Sequence, residues 1–257
     1  MYRAVNKPYG SVHFLRLPCT FLLRGCFPAD TVGAMEMPVN ETGWRGSPEV
    51  WLEAAYDALV ESGVDAVRIQ PMARKLNLSR TSFYWFYKDR EELLAALIER
   101  WRVKNTGSIV RQTEAYAESI AEAVLNVFDC WLDRSLFDAE LEYSIRSWAI
   151  QSPDVAAEIH SADAARIAAL AGMFIRFGYD PLAADVRART IYLVQIGYIS
   201  MRTREDIATR ALRIPAYVEI FTGQAPQGRE LQRFFSRHGH VAEETGKPPP
   251  LKAVGSC

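Results

Sequence analysis

The sequence predicts an all-α protein, and three observations carry that prediction. From Pro48 onward apolar residues recur at three- and four-residue spacing, and no alternation of period two persists anywhere. Helix starts and stops are written into the chain: Ser47-Pro48-Glu49 and Asp180-Pro181 read as starts, Gly63 and Gly178 as stops. The composition, 49% hydrophobic and 24% charged over 257 residues, can build a sizeable core. It rules out collagen, bulk disorder and a disulfide scaffold. The net charge of −1 excludes a globally basic coat protein for nucleic acid but leaves room for a local basic patch. Cys19, Cys26, Cys130 and Cys257 are scattered with no CxxC pair, so they signal free thiols in a reducing cytoplasm. No apolar run approaches the roughly 18–20 residues of a membrane span, so no membrane partner is expected.

Residues 1–46 carry Pro8, Pro18, Pro28 and Pro38 without helical periodicity and read as a disordered leader. Met35 or Met37 is a candidate true start, with the preceding residues a gene-model extension. The first helix places Trp51, Ala54, Ala55, Ala58 and Leu59 on one stripe. A short helix comes next, from about Pro71 to Leu76, then a turn at Asn77-Leu78, and a helix over about 80–86 capped by Ser79. Asp89 caps a longer helix with Leu94, Leu97, Ile98 and Trp101 on one face. Further stripes run through Ala117 to Leu132 and Phe137 to Trp148, then along helices 154–177 and 181–201. A last helix covers about 205–221, with a break expected at Ile214-Pro215. From 224 to 257 the chain is Gly/Pro-rich and polar and reads as a disordered tail.

Charge is concentrated between Arg68 and Arg90, where six bases meet one acid, Asp89. The same segment holds two short helices around the turn Met72-Ala73-Arg74-Lys75-Leu76-Asn77-Leu78-Ser79, the plan of a helix-turn-helix, whose second helix enters a major groove. Arg80, Thr81 and Ser82 open that second helix with side chains suited to base edges or phosphates. In the run Phe83-Tyr84-Trp85-Phe86-Tyr87, Phe83 and Tyr87 are expected to face the core, and Tyr84 and Trp85 to project toward the groove or backbone. Arg90, in the first turn of the next helix, is placed to meet a phosphate.

These residues resemble the tetracycline-repressor (TetR) family of bacterial transcriptional regulators. The resemblance covers about Pro48 to Asn105 and rests on Gly63-Val64-Asp65-Ala66-Val67, the turn from Met72 to Ser79, Ser82-Phe83-Tyr84-Trp85, and Lys88-Asp89-Arg90-Glu91-Glu92-Leu93-Leu94. It implies an N-terminal three-helix DNA-binding domain over 47–106. A larger helical domain for effector binding and dimerisation would occupy 107–223. The implied function is that of a regulator, more often a repressor released from a palindromic operator by a small molecule. It implies DNA contacts from Gln70, Arg80, Thr81, Ser82, Tyr84, Trp85, Lys88 and Arg90. Two departures stand out: Phe86 where His is common, and Ile69 where Thr or Ser usually caps.

The second half offers candidate effector-binding residues on otherwise apolar faces: Phe128, Trp131, Trp148, Phe174, Tyr192 and Gln195. Simple core packing is the competing reading for Phe128, Trp131 and Phe174. His160 and Asp163 are too few to hold a metal, and no cofactor is implied. Glu142 with Arg146, and Asp163 with Arg166, read as surface ion pairs within helices. A homodimer is implied through helix 181–201 and the last helix. The alternatives are a helical adaptor or ligand-binding protein without DNA binding, and a helical enzyme, for which no nucleophile-base pair, phosphate loop or metal cluster speaks.

Overall fold

The computed structural model describes residues 46–239. The leader, its candidate start codons and the tail beyond residue 239 lie outside the described residues. Among the described residues every regular element is helical.

The first four helices are α1 (Pro48–Ser62), α2 (Ile69–Lys75), α3 (Arg80–Phe83) and α4 (Arg90–Trp101). Local chemistry sets their ends. Ser47 Oγ accepts the Val50 N–H at the start of α1, and the Asp89 carboxylate accepts the Glu92 N–H at the start of α4. Gly63, at φ 83°, returns its N–H to Leu59 O and ends α1. Trp51, Leu59, Met72, Phe83, Leu93 and Leu97 are buried together between these helices.

α4 runs into a π-helical turn, Arg102–Thr106, and then into α5 (Gly107–Glu114). A π turn inserts one extra residue and so rotates the side chains after it about the helix axis. Here it brings Asn105 and Thr106 both inside. Then come α6 (Ile120–Leu132), α7 (Ala139–Ala149), α8 (Pro153–Arg176), α9 (Pro181–Ser200), α10 (Ile207–Thr222) and α11 (Gly228–Arg237). Phe128, Leu170, Phe174, Ile191, Val218 and Phe234 belong to a second buried cluster. The first cluster does not stop at α4, because Leu141 and Ile145 of α7 and Val155 and Ile159 of α8 complete it.

Three sequence expectations change. The helix expected over 80–86 is helical only through Phe83; beyond it the Trp85 and Phe86 N–H groups bond three residues back, to Ser82 O and Phe83 O, and the chain leaves as a turn. Pro215 does not break α10, which continues through it to Gly223. Pro215 and its neighbour Ala211 are only partly buried, so the carbonyl deprived of its donor can meet water. The disordered reading of the chain from 224 fails for Gly228–Arg237. Gln227 and Glu230 form a capping box there, and Phe234 is fully buried.

Candidate nucleic-acid interface and ligand cavity

The turn between α2 and α3 is a Schellman motif. The Asn77 N–H bonds to Arg74 O at 3.2 Å and the Leu78 N–H to Ala73 O at 2.9 Å. Asn77 takes the left-handed conformation this requires, φ 53°, which Asn tolerates better than other non-glycine residues. Ala73 is buried at the crossing. Ser79 then caps α3 by accepting the Ser82 N–H at 3.2 Å.

The aromatic run divides as its periodicity predicts. Phe83 is fully buried, edge-on to Trp51 at 5.3 Å and stacked on Tyr87 at 5.6 Å. The Tyr87 hydroxyl donates to Pro48 O at 3.0 Å and ties the run to the start of α1. Tyr84 and Trp85 are 50% and 63% exposed. Arg80, Thr81, Gln70 and Lys88 are also exposed, on or beside α3. Arg74 is exposed too and makes no ion pair among the described residues, a cation on this face that motif reasoning passed over. Lys75, by contrast, is paired with Asp57 at 3.0 Å.

Two of the named DNA-contact residues are placed differently. Ser82 is only 4% exposed, and its hydroxyl donates to Ser79 O at 2.6 Å. It stabilises the first turn of α3 instead of reading a base. Arg90 donates through Nε to Val67 O at 2.6 Å and through Nη2 to Val64 O at 2.7 Å. Its Nη1 lies 3.8 Å from Glu91. Its guanidinium thus satisfies the carbonyls that the loop between α1 and α2 leaves open. Sequence spacing gave the helix position of Arg90 but not the loop carbonyls that a distant turn brings to it.

The segment from Leu52 to Leu97 matches the sequence model of the bacterial regulatory proteins of the tetR family. This segment is similar to the regulatory domain of that family. The HTH-type transcriptional regulator YdeS of Bacillus subtilis (strain 168) is 30% identical over 82 residues, a match spanning 30% of this chain and 41% of that relative. A solved structure described as a TetR-family transcriptional regulator, from Mesorhizobium loti MAFF303099, superposes with a TM-score of 0.47 at 15% identity over 74% of this chain and 95% of its own. A transcriptional regulator from Rhodococcus sp. Rha1 does so with a TM-score of 0.47 at 17% identity, over 75% and 97% respectively.

Beyond this segment, between α6, α7 and α9, lies a cavity of about 290 Å³. Its walls include Trp131 of α6, Phe137, Tyr143 of α7, and Gln195 and Tyr198 of α9. Of the six expected effector residues, Trp131 and Gln195 line this cavity, and Phe128 lines a smaller one beside it that shares Gln195. Phe174 is fully buried core, edge-on to Tyr179 at 5.2 Å. Trp148 packs against the first cluster and lines neither cavity. Cys130 sits in the cavity wall with burial pushing its thiol up to about 12, so it stays protonated and unreactive at neutral pH.

Tyr192 belongs to a different constellation. Glu142 and Arg166 are both fully buried and paired at 2.8 Å. Glu142 also accepts from Trp101 Nε1 at 2.5 Å, from Asn105 Nδ2 at 2.9 Å and from Arg146 Nε at 2.9 Å. Arg166 Nε donates to Thr106 Oγ1 at 2.9 Å. The Tyr192 hydroxyl donates to Asp163 at 2.5 Å and accepts from Arg146 and Arg166. Two carboxylates and two guanidinium groups therefore balance inside the protein. Burial pushes the Glu142 carboxyl up, but Arg166 beside it and the hydrogen bonds it accepts outweigh this and hold it below its ordinary value. Burial pushes the Tyr192 hydroxyl upward.

This constellation corrects the sequence reading of Glu142 with Arg146 as one surface pair and of Asp163 with Arg166 as another. The first pair exists, with Glu142 fully buried and Arg146 partly so, and Asp163 bonds Arg146, not Arg166. A signal was available: Arg166 continues the stripe Val155, Ile159, Ala162 and Leu170, where a charge needs a partner.

Proposed function

We propose that this protein is a ligand-responsive, sequence-specific DNA-binding transcriptional regulator that works as a homodimer. One observation carries the reading: the segment with the family match also presents Arg80, Thr81 and Tyr84 to solvent on a Ser79-capped helix, with Gln70 exposed at the front of the preceding one. Cations and short polar groups beside exposed rings suit phosphates, base edges and thymine methyls. A single short helix reads few bases, whereas two-fold symmetry doubles the contacts and sets the half-site spacing.

An unpartnered apolar face supports the dimer. Leu182, Val186 and Leu193 of α9 and Leu212 and Ile220 of α10 are all more than half exposed. Their spacing puts each set along one side of its helix. The cavity is the proposed effector site. An effector acts only through its differential affinity for the arrangements that fit and do not fit the operator. Repression, with release by the effector, is the direction we favour.

The test is a fluorescence-anisotropy titration of the full chain with labelled DNA from upstream of its own gene, with random DNA as competitor. Saturable binding that random DNA does not displace at equal mass supports the regulator. Absence of binding at low salt would leave a helical adaptor or ligand-binding protein.

A further inference from the structure

The cavity walled by Trp131 and Gln195 has an electrostatic sign that the proposed function leaves open. Arg134, Arg202, Arg204 and Arg210 all contribute to its wall, against the carboxylate of Glu140. Glu140 is already paired with Arg134 at 2.9 Å. Arg202, Arg204 and Arg210 have no carboxylate partner among the described residues. Two of them rest on aromatic faces instead: Arg202 lies 4.9 Å from the Tyr143 ring and Arg210 5.3 Å from the Tyr198 ring. Such stacking leaves the in-plane N–H edges of a guanidinium available.

Two further observations point to a ligand. Gln195 is only 4% exposed, and its Oε1 accepts from Arg210 at 3.4 Å. Its amide nitrogen makes no hydrogen bond among the described residues, a donor in the cavity wall without a protein acceptor. Arg202 also adopts φ 50°, a left-handed conformation at the end of α9. The Thr203 N–H reaches back to Tyr198 O at 3.1 Å, which makes this the C′ position of a Schellman motif, where glycine is the usual residue. A long cationic side chain therefore stands in the cavity wall at a position where the backbone favours glycine. Backbone strain of this kind gathers at ligand clamps.

Resting on the reading of this cavity as the effector site, we infer that it selects a small aromatic monocarboxylate. The carboxylate would lie among Arg202, Arg204, Arg210 and the Gln195 amide. The apolar body would lie between Trp131, Phe137 and Tyr143. A planar carboxylate matches the guanidinium fork with paired hydrogen bonds, and the partly enclosed site strengthens them. A cationic amphiphile would meet the same three arginines as repulsion.

The experiment compares 1-naphthoate with its uncharged isostere 1-naphthamide by isothermal titration calorimetry on the full chain, wild type and Arg202→Gly/Arg210→Gln. Glycine at position 202 removes the cation while relieving the left-handed strain, so the variant is not expected to fail to fold; circular dichroism checks this. Wild type should bind naphthoate at least tenfold tighter than naphthamide, and the variant should lose that preference. Equal affinities, a preference for the amide, no binding of either at millimolar concentration, or a preference unchanged in the variant would each overturn the assignment. DNA binding is measured in the same samples. Its absence beside an intact naphthoate preference overturns the regulator reading alone, and its presence without the preference overturns the carboxylate assignment alone.

Discussion

Arg80 and Arg90 are two arginines of one basic segment whose surroundings give them different tasks. Arg80 is exposed at the start of α3, whereas Arg90 spends its donors on Val64 and Val67 carbonyls. Arg80→Ala should weaken specific DNA binding by about 1–3 kcal/mol and relax base preference, read from competition with permuted operators. Arg90→Ala should instead lower the unfolding midpoint by orphaning two carbonyls, at a cost of about 1–3 kcal/mol. It should leave the slope of log affinity against log salt unchanged; a slope smaller by about one unit would return Arg90 to the phosphate contacts. Glu142 offers a pH test. Its folded-state pKa is held below the ordinary 4.5, so its contribution to stability is full above about pH 4.5 and is lost as pH falls through the lower folded value. Glu142→Gln leaves Arg166 buried without its counter-charge and should cost about 3–5 kcal/mol at pH 7. Urea titrations of variant and wild type should converge at acid pH; a gap independent of pH would contradict the charge account.

At the scale of elements, the turn after α2 and the helix α11 were legible to different degrees. Asn77, Leu78 and Ser79 carry their turn and cap in their own chemistry, so three adjacent residues suffice to place α3. α11 carries a local signal in its Gln227–Glu230 capping box, but that box opens a segment of polar composition. Its stability comes from a partner, α6: Ser119 donates to Glu230 at 2.6 Å, Arg233 pairs with Glu122 at 2.7 Å and His238 meets Asp129 at 2.7 Å. Polar composition around one buried Phe234 looks like a tail until those partners arrive. Phe234→Ala should therefore cost about 3–5 kcal/mol in thermal or chemical unfolding, with DNA affinity retained. A cost under about 1 kcal/mol would mean that α11 is only loosely docked. The π turn at Arg102–Thr106 was not legible either, because its reason for being is the buried Glu142 and Arg166 toward which Asn105 and Thr106 are rotated.

For the whole molecule, the consequence is a continuous mechanical path. Trp101, the last residue of α4, and Asn105 of the π turn both hold Glu142 of α7, which holds Arg166 of α8 and through it Tyr192 of α9. α7 and α9 are also two walls of the cavity. Under the proposed function, a ligand that parted α7 from α9 would work against bonds whose other end is the last turn of α4 and the π turn after it. The same α9 presents Leu193 to solvent at 60% exposure on its outer side. Leu193→Glu should convert a dimer to a monomer in analytical ultracentrifugation, with DNA affinity falling as the two half-sites cease to be read together. A monomeric wild type would overturn the dimer, and a Leu193→Glu variant that stays dimeric would place its interface elsewhere.

The helical class, the capped two-helix turn and the hidden rings of the aromatic run were legible along the chain, whereas α5 and α11 were not. These properties depend on residues within about one helical turn of each other, whose spacing is visible along the chain. Only the tertiary structure decided that Ser82 and Arg90 serve the backbone, that two apparent surface ion pairs form one buried cluster, that α11 is a helix, and that Trp131 and Gln195 share a cavity with four arginines while Phe174, Trp148 and Tyr192 do not. The Ser82 hydroxyl bonds only three residues back, but its burial and the other outcomes are set by groups tens of residues away, and burial, which fixes the worth of a charge or a hydroxyl, has no meaning before those groups are in place.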